Sequence, residues 1–204
     1  MTKTERQRRV YPDEPAGPFS TPPTTYTDPD GRDIEIGPLD LGLGTGPEPA
    51  DGALEALTRM YVQFDPADRA QGIPPTGEDR IRQWLEPLLE DGINVVARHE
   101  EGVIGHATLV PDVDDPETVE DLSEVEWELA IFVLQAYQRG GIGTQLLEHL
   151  LGHAAERGVE WVWLTVERWN GPAIALYERV GFELCGTESF EQEMSIHLAR
   201  NGKP

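Results

Sequence analysis

Gln138-Arg139-Gly140-Gly141-Ile142-Gly143-Thr144 is the stretch on which the fold turns. It lies between a strand-like run, Val125 to Val133 (VEWELAIFV, followed by Leu134 to Tyr137), and an apolar stripe at helical spacing. That stripe, Ile142, Leu146, Leu147, Leu150 and Leu151, predicts a long helix that stops at Gly158. Glycines at a strand-to-helix junction let backbone N–H groups close on an anion, and the helix N-terminus adds the positive end of its dipole. A diphosphate is the natural ligand of such a turn. No Gly-Lys-Ser/Thr follows, which excludes a Walker loop. A dinucleotide fingerprint would need G-x-G-x-x-G after a first strand and an acidic partner about 20 residues on, whereas this element follows the fourth strand.

Working outward toward the C-terminus, WVWLTV (Trp161 to Val166) reads as a buried strand. Asn170 to Val180 reads as a short helix opened by Asn170 and Pro172 and stopped by Gly181. Phe182 to Gly186 and Glu191 to Leu198 close the domain as strands. Toward the N-terminus, Ile34, Ile36 and Leu39 suggest a first strand. Ala53, Leu54, Leu57, Met60 and Tyr61 mark one helix, and Ile81, Trp84, Leu85, Leu88 and Leu89 mark a second that ends near Asp91-Gly92. NVVARH and VIGHATLV read as a hairpin around His99 to Gly102. The order βααβββαβαββ is that of an α/β domain with a mixed sheet. Nine of the 17 Pro fall in the first 50 residues, so residues 1–31 are expected to form a flexible arm, or one that wraps the domain or a partner, 32–199 the domain and 200–204 a short tail.

A second motif sits downstream of the glycines: N-x-x-A-x-x-L-Y-x-x-x-G-F, spelled by Asn170, Ala173, Leu176, Tyr177, Gly181 and Phe182. Together with Q-x-x-G-x-G before the long helix, it resembles the GNAT acetyltransferase superfamily, over about Asp33 to Leu198. The resemblance implies a mixed, mostly antiparallel central sheet flanked by helices, with acetyl-CoA as donor and co-substrate. It implies that Ile131, Phe132 and Val133 offer main-chain groups to the pantetheine arm. The loop of Gln138, Arg139, Gly140, Gly141, Ile142, Gly143 and Thr144 would take the pyrophosphate, while Asn170 contacts the cofactor further along and also caps its helix. Gly140 departs from the pattern, since relatives frequently carry a basic residue there, and Arg139 is left as the loop's one cation.

The resemblance also assigns Tyr177 as the acid for the leaving thiolate. A phenol near pKa 10 stays protonated at working pH and suits that role. An amine acceptor near pKa 10.4 needs a base. Glu128, in the E of an E-L-A-x-x-V pattern similar to protein-lysine acetyltransferases, is the first candidate. Glu126, on the same strand face, is the second, and an ordered water chain is a third route. Enzymes that acetylate ribosomal-protein N-termini carry a Glu five residues before the motif Asn, where this chain has Thr165.

Lys+Arg 16 against Asp+Glu 38 gives a formal net charge of −22. So acidic a surface repels nucleic acid and anionic membranes, and no Lys/Arg cluster offers a footprint for either. Lys occurs only at positions 3 and 203, against 14 Arg, a balance similar to that of proteins from salt-loving, haloarchaeal-like organisms. Residues 111–128 hold nine carboxylates and no basic residue, a loop that would draw cationic amines. Acceptors of that kind include a protein lysine or N-terminus and a small cationic amine. Cys185 is the single cysteine and the five His show no ligand spacing, so neither a disulfide nor a metal is expected. With no secretory h-region or membrane span, a cytoplasmic location is expected. Homodimerisation, common in such domains, is left open, and the alternative to an enzyme is a non-catalytic acetyl-CoA-binding regulatory module.

Overall fold

The computed structural model describes residues 9–39, 50–64, 73–116 and 121–199. In chain order these hold β1 (Thr24–Thr27), β2 (Asp33–Pro38), α1 (Ala50–Val62), α2 (Glu78–Asp91), β3 (Ile93–His99), β4 (Gly102–Pro111), β5 (Glu126–Val133), α3 (Ile142–Glu156), β6 (Trp161–Glu167), α4 (Gly171–Val180), β7 (Glu183–Thr187) and β8 (Glu191–His197). The strands form one sheet in the order β1-β2-β3-β4-β5-β6-β8-β7. Every neighbouring pair is antiparallel except β5 and β6. A parallel pair needs a crossover, and α3 supplies it. The expected α/β class and the mostly antiparallel sheet are therefore the observed ones.

The sheet's two faces are covered differently. On one face the α3 stripe (Ile142, Leu146, Leu147, Leu150, Leu151) is buried, and alternate residues Val162, Leu164 and Val166 of β6 join it in the core with Met194 and Ile196 of β8. On the other face α1 and α2 lie over β3 and β4. Tyr61, Phe64, Trp84 and Phe132 form a ring cluster there, with centroids 5.1 to 6.0 Å apart. Beneath it the Asn94 amide donates to the carbonyls of Leu88 and Gly92, which leaves Asn94 Oδ1 to accept from His106 Nε2 at 2.9 Å. His106 Nδ1 must then accept from the Tyr61 hydroxyl at 2.7 Å. Complete burial holds this imidazole neutral, with a pKa lowered to about 3.

The N-terminal segment takes one of the courses its composition leaves open. Residues 9–31 are laid against the domain. The Ser195 hydroxyl donates to the Val10 carbonyl at 2.7 Å, and the Tyr11 ring meets Trp161 edge-on at 5.1 Å. The Ala16 amide donates to the His197 carbonyl at 2.7 Å, and a Cβ on Gly152 would overlap the Ser20 carbonyl. Thr24–Thr27 then pairs with β2, an added strand at the edge of the sheet. Proline lowers the entropy lost on ordering an extended chain, and the backbone partners come from β8 and β2 rather than from an apolar stripe. The domain therefore reaches at least to Arg9; residues 1–8 and 200–204 lie outside the described ones. No helix among the described residues is long and apolar enough to cross a membrane.

Candidate functional site

The site begins where two strands part. β5 keeps its ladder with β4 from Pro111↔Trp127 to Gly105↔Val133, but pairs with β6 only at Glu126↔Trp161, Trp127↔Val162 and Glu128↔Trp163. Beyond that point β6 stays with β8 as far as Glu167↔Glu191. The β6-side backbone of residues 130–133 thus has no strand partner among the described residues, and unsatisfied peptide groups at such an edge are ready to bond a ligand. Ile131, Phe132 and Val133 are half-buried along this opening. The Phe132 ring is held in the α1–α2 aromatic cluster.

The glycine loop is tied to the open end of β5, because Gln138 Nε2 donates to the Val133 carbonyl at 3.1 Å. Arg139 and Gly141 both take left-handed backbone, at φ 65° and 82°. Gly141 caps α3, whose leading amides, from Ile142 on, have no carbonyl within the helix to reach. Gly143 faces α4 so closely that a Cβ would stand 3.3 Å from Leu176 Cδ2. Gly140 is buried under the β1–β2 turn, where an added Cβ would lie 3.3 Å from Asp28 Oδ2 and 3.8 Å from Arg32 Nη2. The turn itself is closed by Arg32, which binds Asp28 and Asp30, donates to the Ala136 carbonyl and stacks over Tyr137. Burial alone would push the Asp28 carboxyl up, but the Arg32 hydrogen bonds and charge outweigh it and hold the group below its usual range.

α4 supplies the second motif. Asn170 caps it, with Oδ1 accepting from the Ala173 amide at 3.3 Å. Gly181, at φ 111°, ends it and donates to the carbonyls of Tyr177 and Glu178. Tyr177 is 8% exposed and packs on Phe182, and burial pushes its phenol up to about 12.

Glu126 and Glu128 share the face of β5 that continues into Trp161, Trp163 and Thr165 of β6 and Glu193 and Ser195 of β8. Their surroundings differ. Glu126 Oε2 accepts from Arg9 Nη1 at 2.8 Å, and the same nitrogen reaches Asp112 Oδ2 at 3.1 Å. Arg9 Nε stands 3.6 Å from Glu193, and the guanidinium lies over the Trp163 ring at 3.3 Å from its centroid. Glu128 is exposed, and its carboxyl is nevertheless raised, first by loss of hydration around the strand and then by Asp112 and Glu193, with Arg9 opposing. Alongside, a cleft of about 120 Å³ is lined by Thr165, Glu188, Glu191, Gln192 and Glu193.

The profile of the Acetyltransferase (GNAT) family matches residues 54–182, more than half of the chain. The chain belongs to the GNAT acetyltransferase family. Against the [ribosomal protein bS18]-alanine N-acetyltransferase of Escherichia coli K12 this GNAT chain is 54% identical over 46 residues, 22% of its own length and 31% of the relative's. It thus spans about a third of the curated relative it matches. Among solved GNAT structures, the GNAT domain of S. lividans PAT superimposes with a TM-score of 0.66 at 17% identity, covering 86% of this chain and 97% of that one. A Salmonella typhimurium protein solved with its cofactor acetyl-CoA gives 0.58 at 19% identity, over 84% and 97%. These two likenesses show the GNAT fold.

Within the GNAT frame the sequence motifs fall where they were read: Ile131 to Val133 on the parted strand, Gln138 to Thr144 at the start of α3, and Asn170 and Tyr177 on α4. Sequence reasoning missed Arg9, Trp163 and Glu193. Nothing local marks them, because their meeting depends on the N-terminal segment crossing β8 and β6.

Proposed function

We propose that this GNAT protein transfers an acetyl group from acetyl-CoA to a primary amine by direct attack in a ternary complex. The acceptor on this reading is cationic, a protein lysine or N-terminus or a small amine. The supporting observation is the opening between β5 and β6, with the exposed Glu128 carboxylate on the face that α3 does not cover. Acetyl-CoA, when bound, supplies the activated acetyl group. The backbone of Ile131, Phe132 and Val133 holds the pantetheine arm, and an amide near Val133 polarises the thioester carbonyl. The amides of residues 139–144 and the Arg139 side chain hold the pyrophosphate at the α3 N-terminus. Asn170 caps α4 through Oδ1, and its amide nitrogen is the group that would contact the cofactor.

Glu128 takes a proton from the acceptor ammonium, and a carboxyl raised above its ordinary range is a better base than a free one. Tyr177 donates its phenol proton to the departing thiolate. The Escherichia coli relative is named for a ribosomal N-terminal alanine. The ribosomal N-terminal enzymes carry a Glu where Thr165 stands here, so base catalysis is assigned to β5 rather than β6. The acidic composition and single cysteine support a salt-rich, reducing cytoplasm as the setting proposed for this chemistry.

A panel of amines assayed with acetyl-CoA in molar KCl tests the reading. Glu128→Gln should lose about a hundredfold in kcat while holding CoA affinity within about twofold. Unchanged turnover removes Glu128 from the mechanism. CoA binding with no amine acetylated makes the protein a binding module instead.

A further inference from the structure

The guanidinium of Arg9 sits in a cage of unlike parts. Asp112 and Glu126 accept hydrogen bonds from it, Glu193 stands 3.6 Å from Nε, and the buried Trp163 ring lies flat beneath it. A planar cation over an indole, ringed by carboxylates, is how proteins recognise guanidinium and ammonium groups. The cage adjoins Glu128 on β5 and shares Glu193 with the acidic cleft at Thr165.

Arg9 does not fill this cage well. Arg9 Nε, Glu126 Oε1 and the indole nitrogen of Trp163 are all buried without a hydrogen-bond partner. Of the three, Glu126 Oε1 is the acceptor, and a cation that turned a further N–H toward it would recover the cost of leaving it unpaired. Charge points the same way. Among the described residues the cage presents three carboxylates, those of Asp112, Glu126 and Glu193, to the Arg9 guanidinium. The occupant is also chemically apt: the first nine residues carry Lys3, Arg6, Arg8 and Arg9, four of the 16 basic residues in a chain of charge −22.

We propose that Asp112, Glu126, Glu193 and Trp163 form a cation subsite on the acceptor face, and that Arg9 occupies it as a built-in competitor for a guanidinium- or ammonium-bearing acceptor. The proposal rests on the acetyltransferase reading above for the word acceptor, and on the cage geometry alone for the cation. A cationic acceptor displaces Arg9 first, and its second cationic group then holds it while the reacting amine reaches Glu128.

The test uses the full chain, wild type and Arg9→Ala, with L-argininamide as probe at one fixed KCl concentration. Emptying the cage should let the probe raise the Tm of Arg9→Ala by about 5 °C at a hundredfold excess over its Kd, and that of the wild type by under about 1 °C. Arg9→Lys keeps the charge but loses the flat stack, and should respond between the two. It also serves if Arg9→Ala does not fold. Adding Trp163→Leu to either variant should abolish the response. With a cationic substrate, Arg9→Ala should lower KM about tenfold and hold kcat. Spermidine and a basic peptide, run as separate acceptor arms, decide which source of cation gains. Equal probe response in wild type and variants, or none in any, reduces Arg9 to a structural strap and overturns the proposal. Acetyl-CoA protection of Tm is read in parallel: its failure sinks the acetyltransferase reading and leaves the argininamide result standing.

Discussion

Glu126 and Glu128 are the same residue type on the same strand face, and the sequence offers no means of ranking them beyond the pattern each sits in. What separates them is Arg9, 117 positions away from Glu126 in the chain. One carboxylate is bonded by a guanidinium, while the other has its carboxyl pushed up, first by loss of hydration and then by Asp112 and Glu193. The charged groups acting on Glu128 are thus Asp112 and Glu193, which raise it, and Arg9, which lowers it. A base works only when deprotonated, so kcat/KM should fall on the acid side with an apparent pKa above the ordinary value of 4.5. In Arg9→Ala the opposing charge is gone and the limb should move to higher pH. In Glu128→Gln it should vanish. A limb that stays in place in Glu128→Gln would assign the titration to another group.

At the scale of elements, α3, α4 and their ends are legible in the sequence because a helix writes its contacts locally. A 3.6-residue apolar period, an Asn cap and a left-handed Gly stop are each set within a few residues. The opening between β5 and β6 is not written this way. Nothing in VEWELAIFV says that its ladder with WVWLTV stops at the third pair, since alternation fixes which face a residue takes and leaves open how far pairing runs. The course of the strap of residues 9–31 is open in the sequence for a related reason: its partners lie on distant strands, and proline content does not say whether an arm wraps its own domain. Asn170 tests how one side chain can serve two levels. Asn170→Ala should lower Tm by about 2–4 °C through loss of the cap. Asn170→Asp keeps an acceptor for the Ala173 amide and should hold Tm, yet it places a negative charge where the cofactor would pass. If it binds CoA as well as wild type, Asn170 is a cap and nothing more.

For the molecule as a whole, the ion pairs show how the charge of −22 is carried. Arg9 faces three carboxylates, Arg32 binds Asp28 and Asp30, and Arg82 binds Glu55 and Glu78. Among the described residues the Arg32 and Arg82 clusters each pair one guanidinium with two carboxylates, so the long-range interaction between those two is repulsive. At about 1 M salt the Debye length is about 3 Å. Contacts such as Arg32 to Asp28, at 2.6 Å with the carboxylate fully buried, lie inside that length and out of the solvent. Repulsion between separate clusters acts over longer paths and is screened away. Added KCl should thus remove the unfavourable part of the electrostatics while sparing the favourable part, so Tm should climb from dilute buffer to molar KCl. CoA affinity should climb with it, because an anionic cofactor approaches a chain of formal charge −22. Paired measurements of Tm and CoA Kd across a KCl series check this, with sucrose as an uncharged control for excluded volume. A CoA affinity that rises steadily as KCl is withdrawn would mean that the local cradle dominates the global field, and that the acidic surface is not an adaptation to salt.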